Sequence, residues 1–187
     1  YLTIFDDGST ADYRSSSNDI SNEAEFWAAR GPQLKARTGD IRFILDVIKS
    51  RSTEAQDNVA TSTMSLWQRI DPDRIGVFGH SFGGATSLMA LSQDPRIRAA
   101  IALDGWMVPV PEAAIDAGTD KPVLYLGQER WDEPLNYEKL DRFIANSAGH
   151  AKKEIWPGTK HMDFADAPHL STFARRIGFA GSLPSAE

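Results

Sequence analysis

The stretch that most constrains this chain is "RIGVFGHSFGGATSLMALS", residues 74–92, where a short apolar run passes through a glycine-rich turn into a helical pattern. Ile75, Val77 and Phe78 read as a buried strand, and from Phe82 to about Ser92 the pattern is helical until Asp94-Pro95 stops it. The same alternation continues downstream. "RAAIALD", "PVLYLG" and "KKEIW" read as strands, with a proline-containing loop (Pro109, Pro111) after the first and a helix over Tyr137–Ser147 after the second. A last helix is expected over Pro168–Ile177. Upstream, "YLTIF" reads as a short buried strand closed by Asp6, Asp7 and Gly8. Gln33–Lys49 reads as an amphipathic helix with Leu34, Ile41, Ile44, Leu45 and Ile48 on its inner side. A short helical piece ends near Trp67 and Ile70. Strands alternating with helices require crossover connections, so the fold class is α/β, a mostly parallel sheet with flanking helices.

At 187 residues the chain suits one domain over 1–187 with a sizeable core. Acidic residues (26) outnumber basic ones (20), and the basic residues form no run. That argues against a nucleic-acid partner, which needs a positive patch, and against a polybasic membrane anchor. No apolar stretch approaches the roughly 20 residues of a transmembrane helix. With no cysteine, thiolate metal sites and cysteine nucleophiles are excluded. The chain starts at Tyr1 rather than Met, which implies upstream sequence and leaves the compartment open, cytoplasmic or exported.

Gly79, Ser81 and Gly83 form G-x-S-x-G between a strand and a helix, the setting of a nucleophile elbow. A serine in that strained turn needs small residues on both sides. The following helix directs its first N–H groups and positive dipole end at it, so the Phe82 N–H is the expected oxyanion donor. One such donor is worth roughly 3 kcal/mol in a transition state.

A serine hydroxyl is a weak nucleophile until a base takes its proton, and the base is normally a histidine held by a carboxylate. Of four histidines, His80 adjoins the serine and reads as packing beneath the turn. His150 precedes a strand and falls at the opposite sheet end, and His169 begins the last helix. His161 follows the last strand at the same sheet end as Ser81, which makes it the candidate base. Two carboxylates reach that end, Asp104 after "AAIAL" and Asp132 in "GQERWDEP", and chain order allows either. Asp163 reads as a loop cap, and Asp6-Asp7 as a turn that could instead orient a substrate polar group.

"GHSFGGAT", "IALDGWMVP", "VLYLGQERWDEP" and "TKHMDFAD" together resemble the plasma-type platelet-activating factor acetylhydrolases over most of the chain. The resemblance implies an α/β-hydrolase lipase that cleaves short or oxidised acyl esters without calcium or any other cofactor. It assigns the triad acid to Asp104 and the base to His161, while Asp132 remains the acid expected of cutinase-like polyesterases. Such a fold has further strands before "YLTIF", whose loops supply a second oxyanion donor. The chain is therefore expected to be the C-terminal portion of that fold, its N-terminal portion either omitted or a second, partner chain. Residues 17–34, with Phe26 and Trp27, are expected to wall an acyl pocket together with Trp106 and Met107. The expected partner is an ester or lipid substrate. A small-ester hydrolase of the dienelactone type, and an inactive half that only binds or assembles, are the alternatives.

Overall fold

The computed structural model describes residues 2–12, 23–57, 66–170 and 173–181. Two strands come first, β1 (Leu2–Ile4) and β2 (Thr10–Asp12), followed by the long helix α1 (Glu23–Asp57) and a 3-10 turn over Leu66–Arg69. The repeating part is β3 (Ile75–His80), α2 (Phe82–Gln93), β4 (Ile97–Leu103), α3 (Glu112–Ala117), β5 (Val123–Gly127), α4 (Leu135–Asn146) and β6 (Ala151–Ile155). A 3-10 turn over His161–Phe164 and two short helices, α5 (Ala167–Leu170) and α6 (Phe173–Arg176), close the described chain.

β3, β4, β5 and β6 form one parallel sheet in that order. Because every strand points the same way, the segments after β3, β4, β5 and β6 all emerge at one end of the sheet. Those segments hold Ser81, Asp104, Gln128–Asp132 and His161. The topology alone thus gathers the candidate residues of four distant stretches.

One face of the sheet carries Val77, Ala100, Ala102, Val123 and Tyr125, packed in a single core with Leu34, Leu45, Leu88, Leu91, Ile115, Leu140 and Phe143 from the helices. Each fully buried aliphatic side chain there contributes roughly 1.5–3 kcal/mol relative to exposure. The other face is less covered, with Phe78 75% exposed beside its register partner Ile101. α2 is the most enclosed helix, with Gly84 through Leu91 all buried. It approaches the sheet closely because Gly84 lacks a side chain: a Cβ there would lie 2.7 Å from the Gly105 Cα.

Three expectations need correction. "YLTIF" does not join the main sheet. β1 pairs antiparallel with β2 through the Asp6-Asp7-Gly8 turn, and Ile4 is 70% exposed. The Asp7 carboxylate accepts the Ser9 N–H, an Asx turn, so Asp7 serves the turn. α1 extends well beyond Gln33–Lys49, passing through Pro32. Its buried stripe is Leu34, Thr38, Leu45 and Ser52 with Ile41 and Ile48 half-buried, spacings of three, four and seven, so Ile44 points outward. Finally, the loop after β4 contains α3, started by Pro111 and ended by Gly118 at φ 58°.

Candidate active site

The turn after β3 has the geometry its sequence pattern predicts. Ser81 takes φ 57°, ψ −121°, a conformation that costs a non-glycine residue on the order of 1–3 kcal/mol and persists only when the surroundings impose it. They do so through the backbone. The Ser81 N–H donates to Leu103 O (3.0 Å), and Ser81 O accepts the N–H groups of Gly84 (2.9 Å) and Trp106 (2.9 Å). The small residues act unequally. A Cβ on Gly79 would collide with the Gly83 backbone, whereas one on Gly83 meets nothing, so glycine is required at 79 and 84 rather than at 83. Phe82 is the first residue of α2, and its N–H has no carbonyl within the helix to bond. It stands at the positive end of the helix dipole, beside the serine.

Asp104 follows β4 directly, at φ 42°, and is completely buried. Its two oxygens accept four donors. Oδ1 takes the Gln128 N–H (3.1 Å) and the Trp131 indole Nε1–H (3.0 Å); Oδ2 takes Gln128 Nε2–H (2.8 Å) and His161 Nδ1–H (2.6 Å). A carboxylate only accepts, so His161 Nδ1 carries the proton and Nε2 is the basic nitrogen. The Trp131 ring also packs edge-on against the His161 ring, 4.9 Å between centroids. Burial, and secondarily the Asp104 charge, hold the phenols of Tyr125 and Tyr137 well above the usual range. Both stay protonated and donate, Tyr125 to Gly105 O (3.1 Å) and Tyr137 to Gln128 O, which fixes the loops on either side of the acid.

His161 begins its 3-10 turn, capped by Asp163, whose Oδ2 accepts the Lys160 N–H (2.8 Å); this is the capping role expected of Asp163. Asp132 is exposed and lines the same open cavity of about 960 Å³ as His161, but the imidazole is bound to Asp104. His150 stands just before β6, at the far sheet end. His169 lies in α5, its side chain outside the described residues. Among the described residues no cluster of His, Asp and Glu could hold a metal ion, and no helix is long and apolar enough to cross a membrane.

Trp106 lines the cavity beside His161. Its indole donates to Glu133 Oε2 (3.0 Å), while Phe26, Phe82 and the Arg30 guanidinium pack on its ring at 5.7, 5.9 and 5.3 Å. Phe26 packs on the Trp106 ring without itself lining that cavity, and Met107 and Trp27, expected beside it, lie elsewhere. Met107 is 0% exposed in the core: Asn136 Oδ1 accepts its N–H (2.5 Å), Asn136 Nδ2 donates to the Gly105 carbonyl, and the loop stays buried from Met107 through Val110, leaving Trp106 half-buried beside it. Trp27 is turned about 100° from Phe26 on the helix. It faces a separate cavity with Leu34, Met89 and Pro109, under the Lys139 ammonium (5.2 Å). Gln128 and Trp131, which hold the acid, escaped the sequence reading although both lie in "GQERWDEP". The signal available was their place just after β5, at the same sheet end.

The family model described as "Platelet-activating factor acetylhydrolase, isoform II" matches residues 11–179. The dog platelet-activating factor acetylhydrolase is 33% identical over 158 residues, 82% of this chain and 35% of that protein. The chain therefore spans about a third of the length of the curated relatives it matches. A bis(hydroxyethyl) terephthalate hydrolase of Streptomyces coelicolor is 37% identical over 83 residues, 41% of this chain and 27% of that one. Among solved structures, the ferulic acid esterase of Streptomyces cinnamoneus superposes with a TM-score of 0.61 at 30% identity, covering 94% of this chain and 44% of that one.

Proposed function

This chain belongs to the platelet-activating factor acetylhydrolase isoform II family, and from that premise we propose that it is a serine carboxylic-ester hydrolase with the triad Ser81, His161 and Asp104. The observation that carries the reading is the 2.6 Å contact between His161 Nδ1 and a fully buried Asp104, at the sheet end where the Ser81 turn also lies. Ser81 Oγ attacks the ester carbonyl as His161 Nε2 takes its proton. The negative charge that develops on the carbonyl oxygen meets the Phe82 N–H and the α2 dipole. Asp104 keeps the imidazole in the required tautomer and stabilises the imidazolium. The proton then passes from His161 to the departing alcohol, leaving an acyl group on Ser81. Water, deprotonated by His161, attacks that acyl group, and the acid leaves with the serine restored.

No step of this scheme calls on a metal or an organic cofactor. The substrate class is an ester of a short acyl chain on a phospholipid-like alcohol, by analogy with the acetylhydrolase relatives, and the family resemblance extends it to oxidised chains. Trp106, backed by Phe26, is the apolar wall the acyl chain would meet. The likeness to a terephthalate-ester hydrolase favours a second substrate reading, an aromatic or polyester substrate attacked by the same serine. Comparing hydrolysis of an acetylated phospholipid with that of a terephthalate ester separates the two. The triad is tested with a fluorophosphonate probe. Wild-type protein is expected to be labelled at Ser81, and Ser81→Ala to lose both labelling and esterase activity. Full activity in that variant would end the reading, whereas wild-type protein that is neither labelled nor active would favour a chain that only binds or assembles.

A further inference from the structure

Two histidines meet at the site, and the triad uses one. His80 ends β3, one residue before Ser81. Its ring centroid lies 4.4 Å from that of His161, and its Nε2 is 2.9 Å from the His161 backbone carbonyl oxygen. A carbonyl oxygen only accepts, so His80 Nε2 carries the proton and donates it. This bond joins the strand that leads to the nucleophile with the turn that carries the base, 81 positions along the chain. The base is thereby held at two points. Asp104 fixes Nδ1, His80 fixes the main chain, and Nε2 is the atom neither of them holds.

The electrostatics agree with this arrangement. His80 is half-buried, and the ionisable groups acting on it are His161, from the turn after β6, and Asp104, from the end of β4. Burial first, and then the His161 charge, hold its pKa below the ordinary histidine value; the bond to the His161 carbonyl and the Asp104 charge oppose that only in part. At neutral pH His80 is therefore a neutral donor. An imidazolium formed on His161 during turnover meets no second cation beside it.

We propose that His80 is a positioning residue, whose hydrogen bond to the His161 main chain sets the angle at which His161 Nε2 faces the Ser81 hydroxyl. The inference rests on the proposed triad. Loss of the bond frees the 161–164 turn to shift without disturbing the Trp106 wall. Proton transfer then suffers while substrate binding does not. A displacement of about 1 Å at a catalytic group costs on the order of 100-fold in rate.

Two substitutions separate the hydrogen bond from the ring. His80→Phe keeps the ring and loses the donor; His80→Gln loses the ring and keeps an N–H near the Nε2 position. The readout is steady-state hydrolysis of a short-chain p-nitrophenyl ester by the full chain, below each variant's Tm. For His80→Phe, kcat is expected to fall roughly 10- to 100-fold with KM within about twofold. His80→Gln is expected to restore kcat to within about fivefold of wild type. An active His80→Phe beside an impaired His80→Gln would overturn the proposal, since packing alone would then explain the residue. Should His80→Phe not fold, His80→Gln decides: a loss beyond about 100-fold overturns the proposal, and near-wild-type kcat supports it. Activity that survives Ser81→Ala sinks the triad instead, so the two failures are distinguishable.

Discussion

Strand β4 has a buried aspartate at each end, and the two are held in opposite ways. Asp94, before the strand, is 3% exposed and answered by permanent cations. Arg96 binds it with Nε (2.9 Å) and Nη2 (2.6 Å), its backbone N–H adds a third bond, and Arg42 stands 3.9 Å away. The guanidinium hydrogen bonds hold the Asp94 carboxyl down at about 2. Asp104, after the strand, is enclosed still further, yet among the described residues no arginine or lysine bonds it. Neutral N–H groups from Gln128 and Trp131 hold it, together with one imidazole. A charge balanced by guanidinium is finished business electrostatically and serves the fold. A buried charge held by neutral N–H groups and a histidine is balanced fully when that histidine gains a proton, which the proposed reaction supplies.

The comparison breaks first at Asp104. Asp104→Asn is expected to lower kcat by about 10³- to 10⁴-fold with little change in Tm, because an amide can hold the wrong imidazole tautomer. A small effect on kcat would make the two ends of β4 alike. Next comes the neutral shell. Trp131→Phe removes one donor from Asp104 while keeping a ring against His161, and about a tenfold loss in kcat/KM is expected from one charge-assisted hydrogen bond; loss of fold instead would show that the indole serves packing.

Asp94→Asn should do the reverse, leaving kcat within about twofold while thermal or urea unfolding shows a loss of roughly 2 kcal/mol. The sign of the pH dependence follows from the lowered pKa. Asp94's contribution is present above the ordinary carboxylate value of 3.8 and disappears as pH falls toward 2. Wild-type stability should therefore drop across that window more steeply than that of Asp94→Asn, as unfolding midpoints at stepped pH would register. The smallest effect is expected at Asp132. Asp132→Asn should change kcat/KM less than about twofold, since an exposed carboxylate away from the imidazole contributes little. A large loss there, with Asp104→Asn active, would move the acid to the position used by the cutinase-like alternative.

The elbow turn, a mostly parallel sheet and the placing of Ser81 and His161 at one sheet end were all legible in the chain itself. Each rests on local patterns, apolar periodicity and the glycines of a strand-to-helix turn, combined with the rule that parallel strands end on one side. Other features depended on contacts between distant residues. Asp104 and Asp132 follow adjacent strands, so residue order alone brings both to the same edge. The family resemblance of "IALDGW" already points to Asp104, but the physical reason, the left-handed turn at Asp104 and the donors that Gln128 and Trp131 extend across to it, is visible only in the tertiary structure. Met107 and Trp27 adjoin Trp106, which lines the cavity, and Phe26, which packs on its ring, and a single step along the chain turned each of them elsewhere. "YLTIF" has the composition of a core strand, but a tight turn gave it a nearer partner. The sequence by itself determined which kinds of element this protein makes and at which sheet end its reactive side chains emerge, because those follow from periodicity. Which side chains touch was decided in the tertiary structure, because pairing across dozens of residues is settled by packing and by the hydrogen bonds that buried polar groups require.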